Sequence, residues 1–225
     1  MRNKSIDRNK IAIILNYLVF IFVVVGLMIM FTGYKISFVK ESIMETTKLG
    51  ALKYFSIESN VLMGLVAIIM AHQERKLLNG NIKKISSIYY ILKLVMTTMV
   101  NLTLLVVFFY LSRFASGGLI SLLQNSNLFF HLIVPLLSLI TLTVFERTDK
   151  IKFSYTICNL IPVLLYGIFY VFNNIIHLED GMISSKYDWY WLMQDGINNS
   201  YIVAIIIFGI TYVIGLLIWI LSKKE

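Results

Sequence analysis

Ser56 and His131 are the two side chains in this sequence whose types and surroundings are best suited to covalent chemistry. Ser56 lies in the segment YFSIESN at 54–60, and His131 begins the segment HLIVPLL at 131–137. A neutral imidazole can take the proton of a serine hydroxyl while the oxygen attacks a carbonyl carbon. If the fold brings the two side chains together, the pair predicts a nucleophile and base that hydrolyse an ester.

Two further polar residues follow Ser56 at helical spacing. Ser59 and Asn60 lie at i+3 and i+4, so all three residues share one face of a helix. From that face either side chain can donate a hydrogen bond to a developing oxyanion. Glu58 points roughly 200° away from Ser56 around the helix. The alternative is that the serines and Asn60 hold helices together and that His131 is a structural group, because polar residues commonly have such roles in membrane helices.

The composition places these residues in a membrane protein. Of the 225 residues, 58% are hydrophobic and only 14% are charged, against about 25% charged in a typical soluble domain. A soluble protein of this size cannot bury that much apolar surface, which excludes an ordinary cytosolic enzyme. The single cysteine excludes a scaffold of internal disulfides. Because the net charge of +8 is typical of basic loops on the inner side of a membrane, we expect no nucleic-acid partner.

Six apolar segments are long enough to cross a bilayer, which takes roughly 20 helical residues. We therefore expect an all-α integral membrane protein, with residues 1–225 forming a single domain built as a bundle of six transmembrane helices. The predicted spans are 11–31, 55–71, 88–111, 128–145, 153–172 and 201–221.

The distribution of basic residues predicts the orientation of this bundle. Thirteen of the twenty Lys and Arg residues lie in the two terminal segments and in the connections 72–87 and 146–152, and basic residues are enriched on the cytoplasmic side. We therefore expect both termini in the cytoplasm and the protein in the cell membrane. Ser56 and His131 then lie about 3 Å and about 5 Å below the outer edge of the membrane, at about 1.5 Å per residue.

The fifth span carries a second polar face. Four residues follow one another along it at i, i+3, i+7 and i+11, namely Asn159, Pro162, Tyr166 and Tyr170. In the fourth span Pro135 has no N–H for the carbonyl of His131, so we expect a kink and a cavity beside the imidazole. The face of the fifth span is suited either to lining that cavity or to hydrogen bonding between helices.

Other polar residues within the spans are expected to have structural roles. Lys93 lies about 7 Å inside the third span, and we expect its long side chain to carry the amine out to the interface. We expect Asn16 and Asn101 to hydrogen-bond to neighbouring helices, because an unpaired amide is costly at membrane depth.

The longest connection, 173–200, carries three adjacent aromatic residues, Trp189, Tyr190 and Trp191. Such residues settle at membrane interfaces. They therefore favour an interfacial anchor, with a cap folded back over the bundle as the alternative.

Three segments of the chain resemble the Pr6Pr family of six-span bacterial membrane proteins and, more distantly, the androgen-induced-gene/FAR-17a family of animal membrane hydrolases. They are YFSIESN at 54–60, HLIVPLL at 131–137 and PVLLYGIFY at 162–170. The resemblance to the animal family implies hydrolysis of fatty-acid esters of hydroxy fatty acids, by a threonine nucleophile early in the second helix and a histidine in a later one. By motif these positions fall on Ser56 and His131. Serine here keeps the hydroxyl of the family threonine, and Glu58 stands where glutamine is usual.

Our first interpretation is an intramembrane hydrolase of lipid esters, in which Ser56 attacks and His131 acts as base and then as acid. Membrane lipid and a lipid-like ester are the expected partners, and no cofactor is expected. A metal is not expected either, because no paired His or Cys–His spacing occurs. The candidates for contact with the substrate or the oxyanion are Glu58, Ser59, Asn60, Asn159, Tyr166 and Tyr170. Two alternatives stay open: a transport or binding subunit for a vitamin-sized molecule, and a membrane protein without catalytic activity.

Overall fold

The computed structural model describes residues 2–36, 48–113, 115, 117–179, 182–184, 186–190, 192–193 and 197–223, and the side chains of all of these except 2–7 and 197–200. The described chain is mostly helical, and its described strands form one short hairpin, in which Leu178–Glu179 pairs antiparallel with Met182–Ile183. This confirms the prediction of an all-α fold.

Eight α-helices carry most of the described chain. They are α1 (Arg2–Thr32), α2 (Phe55–Leu78), α3 (Ser87–Leu105), α4 (Gly118–Leu122), α5 (Ser126–Leu128), α6 (Val134–Ile140), α7 (Leu160–Ile176) and α8 (Ile197–Leu221). Turns of 3₁₀-helix cover Lys48–Lys53, Leu111–Arg113 and Phe153–Asn159. Turns of π-helix cover Val106–Tyr110, Phe129–Ile133 and Thr141–Phe145.

Among the described residues these elements combine into six continuous helical rods that are long and apolar enough to cross a membrane. The six spans are Arg8–Thr32, Phe55–Leu78, Ser87–Arg113, Ser126–Phe145, Phe153–Ile176 and Tyr201–Leu221. All six predicted spans are therefore confirmed as helices. The second span continues seven residues beyond the predicted end, to Leu78. Hydropathy falls at Ala71, but the main-chain hydrogen bonds continue and Glu74 is buried against other helices.

The third span forms the centre of the bundle. Every residue from 93 to 103 is buried, and α3 packs against α2, α6 and α8. A helix that is enclosed on all sides belongs to the core. The fifth span is peripheral, and its large apolar side chains such as Leu165, Ile168 and Phe172 are exposed, as expected for a lipid-facing surface.

Close approach between helices depends on small residues at the end of the bundle that holds His131. A Cβ atom added at Gly26 of α1 would lie 2.7 Å from Cε1 of Phe130, and one added at Gly64 of α2 would lie 3.1 Å from Cγ1 of Val23. Small residues let neighbouring membrane helices approach each other closely. α1 is thereby pressed against both α2 and the turn that carries His131.

We predict that Gly26→Ala destabilises the protein, because Phe130 is 0% exposed and its ring has no free space to enter. Overpacking of this kind costs about 1–3 kcal/mol. The matched control is Gly167→Ala on the lipid-facing side of α7, where nothing lies within 4 Å of the added carbon. Thermal unfolding in detergent micelles should show a lower melting temperature for Gly26→Ala than for the wild type, and no decrease for the control. Equal melting temperatures would contradict the close packing described here.

Candidate functional site

The first turn of α2 places Ser56 at the end of the bundle that also holds His131. Ser56 is half-buried, and its carbonyl oxygen accepts hydrogen bonds from Asn60 Nδ2 at 2.7 Å and from Ser59 Oγ at 3.1 Å. The three residues share one face of the helix, as the spacing predicts. Glu58 is exposed on another side of α2.

His131 lies in the π-helical turn Phe129–Ile133. Because of Pro135, one carbonyl of that turn has no main-chain donor and must accept a hydrogen bond from a side chain. The N–H of Val134 bonds to the carbonyl of Phe129, and Pro135 has no N–H to donate. The carbonyl of Phe130 therefore lacks a main-chain donor at both i+4 and i+5. The sequence directs attention to the carbonyl of His131, but the structure shows a side chain serving the carbonyl one residue earlier.

Asn60 is that side chain, and it joins the two halves of the candidate site. Its Nδ2 donates to the carbonyl of Phe130 at 3.1 Å as well as to that of Ser56. One amide group thus spans the backbone of the predicted nucleophile and the residue next to the predicted base. Ser56 and His131 are carried by segments in direct contact.

The imidazole of His131 is enclosed in this contact. The residue is 9% exposed, and its Nδ1 has no hydrogen-bond partner within the described part of the chain. Ser56 Oγ and the ring form no hydrogen bond with each other. The site therefore holds a buried ring nitrogen without a partner among the described residues, and a half-buried serine on the neighbouring segment, rather than an assembled nucleophile–base pair.

The two residues predicted to bind an oxyanion are already engaged. Both amide hydrogens of Asn60 and the hydroxyl hydrogen of Ser59 are used by the carbonyls described above. Neither side chain is a free donor unless it exchanges partners. Asn60 Oδ1, in contrast, is buried without a partner among the described residues, so the free polar atom of this side chain is an acceptor.

Tyr166 and Tyr170 hold the described part of the segment 177–193 against the start of α2. Tyr166 donates from its hydroxyl to the carbonyl of Lys53 at 2.6 Å and accepts from Trp189 Nε1 at 3.1 Å. Tyr190 lies over the helix start, where its hydroxyl accepts the N–H of Phe55 at 3.0 Å. The pKa of Tyr190 is raised well above its usual value, mainly by burial and further by the nearby Tyr166. The hydroxyl of Tyr190 therefore stays neutral. The described part of this segment thus forms the cap, the less favoured of the two predicted arrangements; Trp191 lies outside the described residues.

Asp188 anchors the cap. Its side chain is 0% exposed and accepts hydrogen bonds from the N–H groups of Leu192 at 3.0 Å and Met193 at 3.1 Å. Tyr170 donates its hydroxyl to the same carboxylate. Sequence reasoning missed this residue, because an aspartate in a polar loop gives no signal of burial.

Asn159 does not belong with the two tyrosines. It ends the 3₁₀ turn before α7, about 16 Å along the helix from Tyr170 at about 1.5 Å per residue. Its side chain is 0% exposed and sits against α8, where a Cβ on Gly215 would lie 2.1 Å from Asn159 Nδ2. Asn159 and the two tyrosines therefore meet different neighbours, and the lining of a common cavity stays a prediction. The spacing gives a common face, but the face has different neighbours at its two ends.

A second polar cluster, at the opposite end of the bundle, was not predicted. Asn16 Nδ2 donates to Glu74 Oε2 at 3.3 Å and to Glu146 Oε1 at 2.5 Å, and Asn16 Oδ1 accepts from Lys93 Nζ. Lys93 Nζ also lies 3.8 Å from Glu146 Oε2. These four residues, here called the Lys93 cluster, are each at most 4% exposed. They come from α1, α2, α3 and the end of the fourth span.

The expectation that Lys93 reaches the membrane interface is wrong, because its side chain is 0% exposed and its amine is held by Asn16 and Glu146. A signal for the partners was present. An ammonium within a span needs a counter-ion, and Glu74 and Glu146 lie at the matching ends of the second and fourth spans. The expected bonding of Asn16 to other helices is confirmed, as is that of Asn101, whose Nδ2 donates to the carbonyl of Pro135 at 3.3 Å.

We predict that Lys93→Met destabilises the protein strongly, because it leaves two buried carboxyl groups without their cation. Breaking a buried ion pair from one side costs about 3–5 kcal/mol. The control is Lys84→Met at an exposed loop position, where a change within about 0.5 kcal/mol is expected. Chemical or thermal unfolding in micelles measures both variants. If the Lys93→Met protein were as stable as the control, the Lys93 cluster would not contribute to the stability of the fold.

Removing the charge of Glu146 as well should recover part of the loss, so Lys93→Met combined with Glu146→Gln should be more stable than Lys93→Met alone. This second variant distinguishes charge imbalance from the simple loss of a packed side chain.

Comparison of the chain with protein-family models, with curated proteins and with solved structures finds no match. The described residues contain no group of three or more His, Cys, Asp or Glu side chains arranged to hold a metal ion. The candidate site therefore has to be interpreted from its own geometry.

Proposed function

We propose that this protein is an intramembrane hydrolase of lipid esters, with Ser56 as the nucleophile and His131 as the general base. The observation that carries the proposal is the bridge made by Asn60, which holds the Ser56 and Phe130 carbonyls with one amide. It fixes the turn that carries the nucleophile against the turn that carries a buried imidazole with an uncommitted nitrogen. The resemblance to the Pr6Pr family is part of the same proposal.

The proposed reaction has two halves. Ser56 Oγ attacks the ester carbonyl carbon while His131 takes its proton, and the same proton passes to the departing alcohol as the ester bond breaks. Water then attacks the acyl-serine, with His131 again as base, and releases the fatty acid. In the first half a rotation of the Ser56 side chain toward the ring is required, since apo sites often have looser contacts than the reacting complex.

Two free polar atoms support the second half of this reaction. Asn60 Oδ1 and His131 Nδ1 are both buried and have no partner in the described part of the chain, and each can accept a hydrogen bond in the neutral state. A water molecule between them would have the polar partners that a buried water needs. Such a water is the proposed attacking molecule in deacylation.

The oxyanion donor is proposed to be main chain rather than side chain. The N–H groups of Ile57 and Glu58 both bond to the carbonyl of Tyr54, and that of Phe55 bonds to Tyr190. The N–H of Ser56 is not used by these contacts. It belongs to the first turn of a helix, where N–H groups have no intrahelical partner and favour negative charge.

The proposed substrate enters from the lipid, with its ester near Ser56 and its acyl chain along the apolar surface of the bundle. Because the basic connections are expected in the cytoplasm, we propose that both termini are cytoplasmic and that Ser56 lies near the outer face of the cell membrane. The aromatic cap then lies over the outer end of α2.

Labelling with a fluorophosphonate probe tests the nucleophile. The purified protein should react at Ser56, and Ser56→Ala should abolish the label. Replacing His131 with Gln should slow labelling about 10²–10⁴-fold, the usual contribution of a general base. Ser59→Ala is the matched control, since Ser59 shares the helix face but its hydroxyl is committed to a carbonyl. Labelling that persists in Ser56→Ala, or none in the folded wild type, would contradict the proposal.

Cysteine accessibility tests the orientation. In a Cys158→Ser background, Asn81→Cys lies in the exposed connection between the second and third spans, and Lys186→Cys lies in the exposed segment after the fifth. A membrane-impermeant maleimide added to intact cells should label Lys186→Cys and should label Asn81→Cys only after the cells are opened. The reverse pattern would invert the orientation and place Ser56 near the inner face.

A further inference from the structure

The Lys93 cluster has no part in the proposed hydrolysis. Glu146 lies fifteen residues beyond His131 in the sequence, which corresponds to about 22 Å along a helix. Four spans nevertheless converge on the Lys93 cluster, and each supplies one buried polar side chain. Such an assembly deep in a membrane protein is costly and calls for a specific explanation.

The charges of the cluster do not balance when every group is ionised. Lys93 supplies one positive charge, whereas Glu74 and Glu146 supply two negative charges. Asn16 is neutral and uses its amide to donate to both carboxyl groups and its oxygen to accept from Lys93. The fully ionised cluster would hold one uncompensated negative charge, and an unpaired buried charge is unstable in an apolar interior. One further cation is needed for neutrality.

The positions of the carboxyl groups identify where that cation is bound. Asn16 Nδ2 lies within 3.3 Å of an oxygen of each carboxyl group, so Glu74 and Glu146 converge on one amide nitrogen. Two carboxylates held close together in an apolar interior repel each other, and a proton on one of them removes that repulsion. Glu146 Oε2, in addition, has no hydrogen-bond partner among the described residues, and the nearest ammonium is 3.8 Å away.

Other titratable groups with described side chains also lie at this end of the bundle. Tyr90 of α3 carries a phenol, which is neutral at pH 7. Arg8 of α1 is exposed and donates to the carbonyl of Val144. His72 of α2 is exposed, and Arg147 follows Glu146 in a half-buried position. Within the Lys93 cluster, the contacts to the two carboxyl groups come from Asn16 and Lys93.

We propose that the Lys93 cluster is a proton-binding site, in which the Glu74 and Glu146 carboxyl groups share one proton that neutralises the cluster. The proton comes from water at this end of the bundle and is held as a carboxylic acid. Asn16 orients both carboxyl groups, and Lys93 pairs with the charge that remains. The proposal is independent of the hydrolase chemistry at Ser56.

Infrared difference spectroscopy of the purified full-length protein tests the proposal. A protonated carboxylic acid has a carbonyl stretching band that a carboxylate lacks, and the band shifts in D₂O. At about pH 7 ordinary Asp and Glu side chains are ionised, so the wild type should show one protonated carboxyl group per chain. Glu74→Gln should lose this band, and so should Glu146→Gln, because each leaves a single carboxylate paired with Lys93.

Two control variants assign the band. Glu58→Gln removes the exposed carboxyl group at the other end of α2, and Asp188→Asn removes the buried carboxyl group of the cap. Both should keep the band. Loss of the band in either control, with retention in Glu74→Gln, would overturn the assignment to the Lys93 cluster.

The wild type alone also decides the matter if the variants fail to fold. Absence of a protonated carboxyl band at about pH 7 in sodium-free buffer would overturn the proposal. A band that disappears when NaCl replaces choline chloride would identify the cluster as a sodium site instead, and would equally overturn the proton assignment. A band that is unaffected by sodium and is lost only as the pH is raised is the result that supports it.

Discussion

The burial of the Lys93 ammonium between the membrane helices is the constraint on which the arrangement of helices depends. The central helix α3 is enclosed over residues 93–103, so the amine cannot reach water and must find its partners among neighbouring helices. α1 supplies Asn16, the far end of α2 supplies Glu74, and the end of the fourth span supplies Glu146. In a membrane, where apolar contact gives helices little preference for one another, polar contacts of this kind select the partners.

Uncharged polar groups also select helix partners toward the end of the bundle that holds His131. Asn101 lies two turns along α3 from Lys93 on the same face and donates to the carbonyl of Pro135. Asn60 donates to the carbonyl of Phe130, which Pro135 deprives of a main-chain donor. A proline in the fourth span thus deprives the Phe130 carbonyl of a main-chain donor, and an asparagine on a neighbouring helix replaces that donor. This bond stabilises the π-helical turn around His131.

This arrangement both creates the candidate site and limits it. Asn60 brings the Ser56 turn against the His131 turn, yet in doing so it uses the hydrogens that would otherwise bind an oxyanion. The aromatic cap adds a second restraint, since Tyr190 and Tyr166 bond to the main chain on either side of Tyr54. The first turn of α2 is therefore held from two sides, and the mobile part of the proposed chemistry is the side chain of Ser56.

The sequence by itself determined the class of protein, the six helices and the residues that share each helix face. Those properties follow from local periodicity and from the length of apolar segments, which the backbone of a membrane protein must obey. Ser56, Ser59 and Asn60 were correctly placed on one face, and Asn16 and Asn101 were correctly expected to bond to other helices. Asn159 and Tyr170 show the limit, because a common face does not fix which neighbour each residue meets.

Only the tertiary structure decided which helices meet and which polar groups pair. Lys93 has the same local sequence whether it reaches the interface or is buried with Glu74 and Glu146, since the outcome depends on partners about 20 and about 50 residues away along the chain. Asp188 likewise looks like a solvated loop residue until Tyr170 and two main-chain N–H groups surround it. Pairings over such distances depend on packing energies summed over the whole bundle, and the order of residues within one segment carries no record of them.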